Sequence, residues 1–168
     1  MMDLTTSLIG LGLVALCIVP VLYFHFAQKA KRNKFIAEFM NLASQHQVKI
    51  TQHEVWSHFC AIGLDAGANK LFYYKKRGDN VQQVLINLSE VEKCSLINLK
   101  KMQNEDEVID RLALAFSYRN PKAAEKTLDF FSKEDYLALN GELQLIEKWK
   151  TIVNAQLDTK KKQLAMAG

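Results

Sequence analysis

The chain of 168 residues has few of the residues that break or cross-link a fold: two prolines, seven glycines and three cysteines. So little Pro and Gly excludes a collagen-like chain or one made mainly of linkers. The cysteines are too few for a disulfide framework in a chain of this size. A composition of 49% hydrophobic and 24% charged residues is typical of a folded domain with an appendage.

Charge is nearly absent from the amino-terminal segment, residues 1–28. Asp3 is its one charged residue, and residues 8–27 form an uncharged run of twenty. As a helix, such a run spans about 30 Å, the thickness of the hydrocarbon core of a bilayer. Aromatic rings at residues 23–26 lie near the end of this run, and amphipathic rings prefer the headgroup level of a bilayer. The sequence therefore predicts a transmembrane helix over about residues 8–27.

Four positive charges follow this run directly, at Lys29, Lys31, Arg32 and Lys34. A cleaved signal peptide would have its positive charges before the apolar run and small residues at a cleavage site after it, and the chain has neither. The positive-inside rule then predicts a single-pass protein with its amino terminus outside and residues 29–168 in the cytoplasm. Membrane lipids are therefore expected partners.

The rest of the chain, after residue 34, has 18 basic and 17 acidic residues. The basicity of the whole chain thus comes mostly from the juxtamembrane cluster. Nucleic acid is not an expected partner, because nothing after this cluster has a strong excess of positive charge.

Residues 29–46, called here the stalk, are predicted to continue as a helix. Its apolar residues recur at helical spacing: Phe35, Ile36, Phe39, Leu42 and Ala43. Two interpretations stay open. The stalk can pack on the following domain, which we favour, or lie on lipid with its basic residues against anionic headgroups.

After residue 47 the apolar period changes from 3.6 to 2, which indicates strands. The predicted strands are 48–51, with an uncertain extension to 54–56, then 58–65, 70–75, 81–88, 93–99, 111–118 and 126–131. A helix is predicted from residue 142 to about residue 161. One stripe of this helix is apolar and contains Leu145, Ile146, Trp149, Ile152, Val153 and Leu157.

Several short motifs accompany this order of elements. They are Trp149 in the last helix, Ala61-Ile-Gly-Leu-Asp65, Leu71-Phe72, Ile86-Asn-Leu-Ser-Glu-Val91 and Cys94-Ser-Leu96. With them the chain resembles the otherwise uncharacterised pleckstrin-homology-like (PH-like) domains of bacterial membrane-anchored proteins. The resemblance implies an α+β fold, a seven-stranded antiparallel bent sheet or barrel capped by a C-terminal amphipathic helix, over residues 47–163. It also implies the bacterial inner membrane as the location.

In lipid-binding members of that superfold, basic residues of the first loops form a phosphoinositide pocket. This chain has Thr51-Gln-His-Glu54 near the first loop, without a Lys/Arg cluster. A basic group occurs instead at Lys75, Lys76 and Arg77, which with the four stalk cations are the candidate contacts to lipid or headgroups. The other interpretation is a solvated turn that protects a sheet edge.

No hydrolase elbow, phosphate loop or dinucleotide-binding glycine motif occurs in the sequence. His53, His58 and Cys60 could be considered as metal ligands, but their spacing is not that of an established metal motif. Asp65 and Asp79 fall in turns, where side-chain hydrogen bonds to the backbone account for them. We therefore expect no catalytic residues, no cofactor and no metal.

Two classes of function remain. The first is a membrane-anchored, non-catalytic scaffold whose cytoplasmic domain binds a protein partner through a groove or a sheet edge. The second is an anionic-lipid sensor that uses the stalk and the Lys75–Arg77 cations on one membrane. An enzyme without a recognisable motif is the remote alternative.

Overall fold

A computed structural model describes residues 4–103, 106–136 and 138–166, and the side chains of residues 18–20, 22–103, 106–136 and 138–162. In chain order the elements are α1 Leu4–Gln45, β1 Gln52–Trp56, β2 Cys60–Asp65, β3 Lys70–Arg77, β4 Asn80–Asn87, β5 Val91–Gln103, β6 Asp106–Tyr118, β7 Lys126–Ser132 and α2 Glu142–Met166.

The strands form two antiparallel sheets, of four strands in the order β1-β2-β3-β4 and of three in the order β5-β6-β7. The predicted α+β class, with seven antiparallel strands and a C-terminal helix, is confirmed. The strands form two sheets rather than the one bent sheet or barrel that was predicted.

Two predicted strand boundaries were wrong. The first strand is Gln52–Trp56, which contains the uncertain extension at 54–56 but not residues 48–51, because the amides at 48 and 49 are used elsewhere. The Val48 N–H donates to the carbonyl of Ala43 at the end of α1, and the Lys49 N–H donates to the Asp65 carboxylate at 2.7 Å. The second strand begins at Cys60 rather than at His58, because residues 57–59 form the turn from β1.

The β5–β6 hairpin is longer than its apolar pattern indicated. On β5 the residues beyond 99 are exposed, whereas residues 108–111 of β6 are half-buried, and no alternation of apolar and polar residues marks the strands there. Two ion pairs, Lys100 with Glu107 and Lys101 with Asp110, each at 2.8 Å, connect its strands near the tip. Asp106 and Glu107 therefore belong to β6.

The main core lies between the two sheets and α2. It contains the predicted inward faces of β2, β6 and β7 and the predicted stripe of α2. Trp149 is fully buried at its centre, and Trp56 stacks on Phe130 with ring centroids 4.7 Å apart. The Trp56 indole N–H donates to the carbonyl of Phe130 at 3.0 Å, which connects the two sheets.

A second apolar cluster lies on the outer face of the four-stranded sheet, where the stalk packs. Phe35 stacks on Tyr74 with centroids 5.3 Å apart, and Phe39 stacks on Phe72 at 5.6 Å. These rings and Ala43 are buried in one cluster with the outward face of β2 and β3. The sheet is therefore covered on both faces, which explains why every residue of β2 is buried.

The amino-terminal half of α1 exposes apolar side chains. They are Ile18, Val19, Leu22, Tyr23, Phe24 and Phe26. In the part of the chain whose side chains are described, no helix is both long and apolar enough to cross a membrane. The side chains at 8–17 and at 21, which belong to the predicted span, lie outside that part. The transmembrane helix therefore stays a prediction.

Gly63 tests the contact between stalk and sheet. A Cβ at Gly63 would lie 2.6 Å from Ile50 Cδ1 and 2.9 Å from Phe39 Cζ. We expect Gly63→Ala to lower the free energy of unfolding by about 1–3 kcal/mol, because both side chains must move. The matched control is Gly67→Ala, whose Cβ would be 3.5 Å from its nearest neighbour, with an expected change within about 0.5 kcal/mol.

The measurement for this pair is urea unfolding of the full chain in a mild detergent. Tryptophan fluorescence reports it, since both tryptophans are buried in the core. Equal effects of the two substitutions would contradict the close packing at Gly63.

Candidate functional site

Three connections meet at one end of the domain, called here the hairpin end: the β1–β2 turn at 57–59, the β3–β4 turn at 78–79 and the connection 133–141. Cys60 pairs with Lys75 across β2 and β3, so the first two turns lie at the same end of the sheet. The Ser57 hydroxyl donates to Glu142 at the start of α2 at 3.2 Å, which brings in the third connection.

The predicted basic group lies at this end, and each of its cations has an acidic partner. Lys75 forms an ion pair with Asp135, and Arg77 pairs with the same carboxylate at 2.5 Å. Lys76 pairs with Glu38 of the stalk at 2.6 Å. The three cations are therefore part of the internal contacts of the protein.

These pairs lower the pKa of the two carboxyls. Burial raises the pKa of Asp135, but hydrogen bonds from Lys75 and Arg77 outweigh burial, so the pKa lies below its usual range. Hydrogen bonds from Lys76 and from the Tyr74 hydroxyl, at 2.8 Å, lower the pKa of Glu38. Both carboxylates are thus charged at neutral pH.

The predicted stalk cations differ from this group. Lys29, Lys31, Arg32 and Lys34 are exposed on α1. Within the described side chains, none of the four has an ion-pair partner at salt-bridge distance. Of the four, Lys34 lies nearest the β3 cations, because it lines a groove on the stalk together with Glu38 and Lys76, and its charge adds to the lowering of the Glu38 pKa.

A cavity of about 750 Å³ opens at the hairpin end, between the β1–β2 turn and the start of α2. Its walls include Trp56, Phe59, Tyr136, Glu142 and Leu145. The Tyr136 ring stacks on Phe59 with centroids 5.3 Å apart, so one wall of the cavity is aromatic.

Glu142 joins two of the connections around this cavity. Its carboxylate is buried and accepts hydrogen bonds from the Ser57 hydroxyl and from the Asn140 N–H. Ser57 and His58 both have positive φ, 52° and 60°, a conformation that costs a residue with a side chain about 1–2 kcal/mol. The contact with Glu142 helps to hold this turn in place.

The groups beside the cavity are poor nucleophiles. Cys60 lies 3.4 Å from the Tyr136 hydroxyl, and burial raises the pKa of the thiol and of both neighbouring phenols, Tyr73 and Tyr136. A thiol with a raised pKa has little thiolate at neutral pH, and the thiolate is the reactive form. Burial also raises the pKa of Cys94 to about 12.

Of the three residues considered as metal ligands, His58 lies in the β1–β2 turn, and His53 and Cys60 lie on opposite faces of the sheet. His53 lies on its outer face, with its ring centroid 6.4 Å from that of Phe39, while Cys60 lies in the inner core. Among the described residues no group of three His, Cys, Asp or Glu side chains is arranged to hold a metal.

The sheet edges differ in how they are protected. The Asn154 side chain on α2 accepts a hydrogen bond from the N–H of Cys94 and donates one to its carbonyl, at 3.4 and 3.0 Å. This contact occupies the edge of β5 as a neighbouring strand would. The edge strand β4 has no charged residue, and its residues 80–83 are exposed. Further along this strand the carbonyl of Leu85 accepts a hydrogen bond from the Lys126 side chain at 3.3 Å.

Sequence reasoning missed the acidic partners Glu38 and Asp135. They lie 38 and 60 residues from the lysines that they bind, so no local pattern connects them. One signal was present for Glu38, which is the only acidic residue between Lys29 and Gln45. A lone acid in a basic, apolar helix indicates a specific partner.

Comparison with known proteins gives no match to this chain, whether from family models, curated proteins or solved structures.

The ion pairs of Asp135 with Lys75 and Arg77 can be tested by measuring the free energy of unfolding as a function of pH. Because its pKa is lowered on folding, its stabilisation is present above about pH 4 and is lost as pH falls through the folded-state pKa. We expect Asp135→Asn to lower the free energy of unfolding at neutral pH by about 1–2 kcal/mol. As pH falls from about 4 to about 2, the difference in free energy of unfolding between the variant and the parent should shrink.

The measurement is urea unfolding across this pH range. Asp79→Asn, in the exposed β3–β4 turn, is the control and should change stability by less than about 0.5 kcal/mol. If Asp135→Asn lowers the free energy of unfolding by the same amount at neutral pH and at about pH 2, the ionic role of Asp135 is contradicted.

Proposed function

We propose that this protein is a single-pass, membrane-anchored interaction module, without catalytic activity, whose cytoplasmic PH-like domain binds another protein. The location that the resemblance implies is the bacterial inner membrane. Two antiparallel sheets of four and three strands with a C-terminal helix support the PH-like interpretation.

The observation that carries the proposal is that one helix, α1, has an exposed apolar part and a part that packs on the domain. The helix is continuous from Leu4 to Gln45. Its residues 18–26 expose large apolar side chains, whereas Phe35, Phe39 and Ala43 are buried against the sheet. A helix of this kind connects a lipid-soluble segment to a folded domain without a linker. The uncharged run at 8–27 supplies enough length for a crossing.

The β4 edge is the surface that we assign to the protein partner. Edge strands with free backbone groups pair with an added strand unless charge, proline or a covering element prevents it. β4 has no charged residue, whereas Asn154 occupies the β5 edge at Cys94. An extended segment of the partner, hydrogen-bonded along residues 80–84, fits this edge.

Anionic-lipid sensing is the less favoured alternative. Each exposed cation near an anionic surface contributes about 1 kcal/mol. The cations of β3 would have to leave Asp135 and Glu38 to make such contacts, which removes part of that gain. The stalk cations alone remain available, and they suit attachment better than recognition.

The anchor is tested by two arginines in the predicted span. Each arginine at the centre of a membrane helix costs about 2.5–3.5 kcal/mol, so Val14→Arg with Leu16→Arg should prevent insertion. The parent should resist alkaline carbonate extraction from membranes, and the variant should be released. The control places the same change on the exposed β5–β6 hairpin, Leu99→Arg with Met102→Arg, and should stay in the membrane. Release of the parent itself would refute the anchor.

The partner surface is tested by charge on β4. Val81→Glu with Gln82→Glu puts acids opposite the basic residues of β3, which the sheet tolerates, but should block strand addition. We expect crosslinked partner complexes of the parent to be lost in this variant. Leu99→Glu with Met102→Glu is the control and should keep them. Unchanged crosslinking of the β4 variant would exclude this edge.

A further inference from the structure

The stalk and β3 lie side by side and run in opposite directions. Phe35 stacks on Tyr74, and Phe39, four residues later, stacks on Phe72, two residues earlier. Four residues of helix rise about 6 Å, and two residues of strand extend about 6.6 Å. The two rises agree, so α1 runs along β3 between Phe35 and Phe39. Beyond this turn the helix crosses towards β4, because His46 lies 3.4 Å from Gln83, the partner of Tyr74 on β4.

This alignment gives the height of the β3–β4 turn along α1. Gly78 and Asp79 lie four and five residues beyond Tyr74, which corresponds to about 13–17 Å along the strand. The same distance along the helix is about nine to eleven residues before Phe35, at residues 24–26. These residues belong to the ring-bearing end of the predicted span, at headgroup level.

We propose that α1 holds the β3–β4 turn against the headgroup layer of the bilayer, so that the hairpin end of the domain faces lipid. This inference rests on the proposed anchor. The opposite end, with the turn at 66–69, then faces the cytoplasm. The β4 edge begins at the lipid-facing end and runs away from it.

The junction can hold this orientation because it has no linker. α1 is continuous through the stalk, and its only proline, Pro20, precedes the level of the turn. Glu38 accepts hydrogen bonds from both Lys76 and Tyr74, at 2.6 and 2.8 Å, next to the stacked rings. Rotation of the domain about the helix would break all of these contacts.

The side chains at the turn suit a lipid surface without forming a headgroup pocket. Arg77 is 53% exposed while paired with Asp135, and Val81 is 46% exposed on the other strand. A Cβ at Gly78 would have no neighbour within 4 Å, so the turn is open on its outside. Asp79 adds an acid, so the contact depends on the height of the turn rather than on a basic cluster.

The test measures depth in the full chain reconstituted into phosphatidylcholine vesicles. A nitrobenzoxadiazole label is attached at Asp79→Cys, or at Ala66→Cys in the exposed turn at the opposite end, in a Cys17→Ser background. Cys60 and Cys94 are buried, and the background without an added cysteine measures any labelling of them. A lipid with a spin label on its headgroup quenches nearby fluorophores. We expect quenching at position 79 to be several-fold stronger than at position 66.

A longer stalk is the matched variant. Seven helix-forming residues inserted after Ala30 increase the distance between the predicted span and the domain by about 10 Å. Seven residues make nearly two full helical turns, so the domain keeps nearly the same rotation about the helix. Quenching at position 79 should then fall to the value at position 66, while vesicle flotation is unchanged.

Flotation of the same samples separates the two proposals. Protein that floats but is quenched equally weakly at both positions overturns the orientation and leaves the anchor standing. Quenching at position 79 that the longer stalk does not reduce also overturns it. Protein that does not float overturns the anchor and the orientation together.

Discussion

The packing of the stalk on the four-stranded sheet is the contact on which the other features depend. Burial of an aromatic or aliphatic side chain contributes about 1.5–3 kcal/mol, and this interface buries rings from both sides. Without the stalk, Phe72 and Tyr74 would form part of an exposed apolar patch on the sheet. The helix that carries the predicted span is therefore also a structural element of the domain.

That contact also changes the meaning of the basic residues on β3. In the sequence they form a cationic group at a turn, which invites a comparison with lipid-binding loops. In the fold, Lys76 pairs with the stalk and Lys75 and Arg77 share Asp135, so these charges hold α1, β3 and the connection after β7 together. A charge that is already paired at short range gains less from a membrane surface.

The proposed partner surface and the proposed orientation of the domain both involve β4. Asn154 occupies the backbone groups of Cys94 on β5, whereas β4 presents an uncharged edge. If the hairpin end faces the bilayer, this edge rises from the membrane surface into the cytoplasm. A partner strand would then bind beside the membrane.

The sequence by itself determined the elements whose pattern is local. The alternation in β6 and the apolar stripe of α2 identified both elements and their buried faces, because one face of each lies on the core. The α+β class and the number of strands followed from the same periodicity. The first strand escaped this reasoning, since the amides at 48 and 49 bind Ala43 and Asp65 instead of a neighbouring strand.

Only the tertiary structure decided what the charged residues do. Asp135 meets Lys75 across 60 residues, and Glu38 meets Lys76 across 38, through strand pairing and helix packing that no local pattern contains. The long β5–β6 hairpin is another case, because cross-strand ion pairs support it near its tip, where β5 is exposed. Periodicity records which face of an element is buried, whereas the neighbour on that face depends on how distant elements pack.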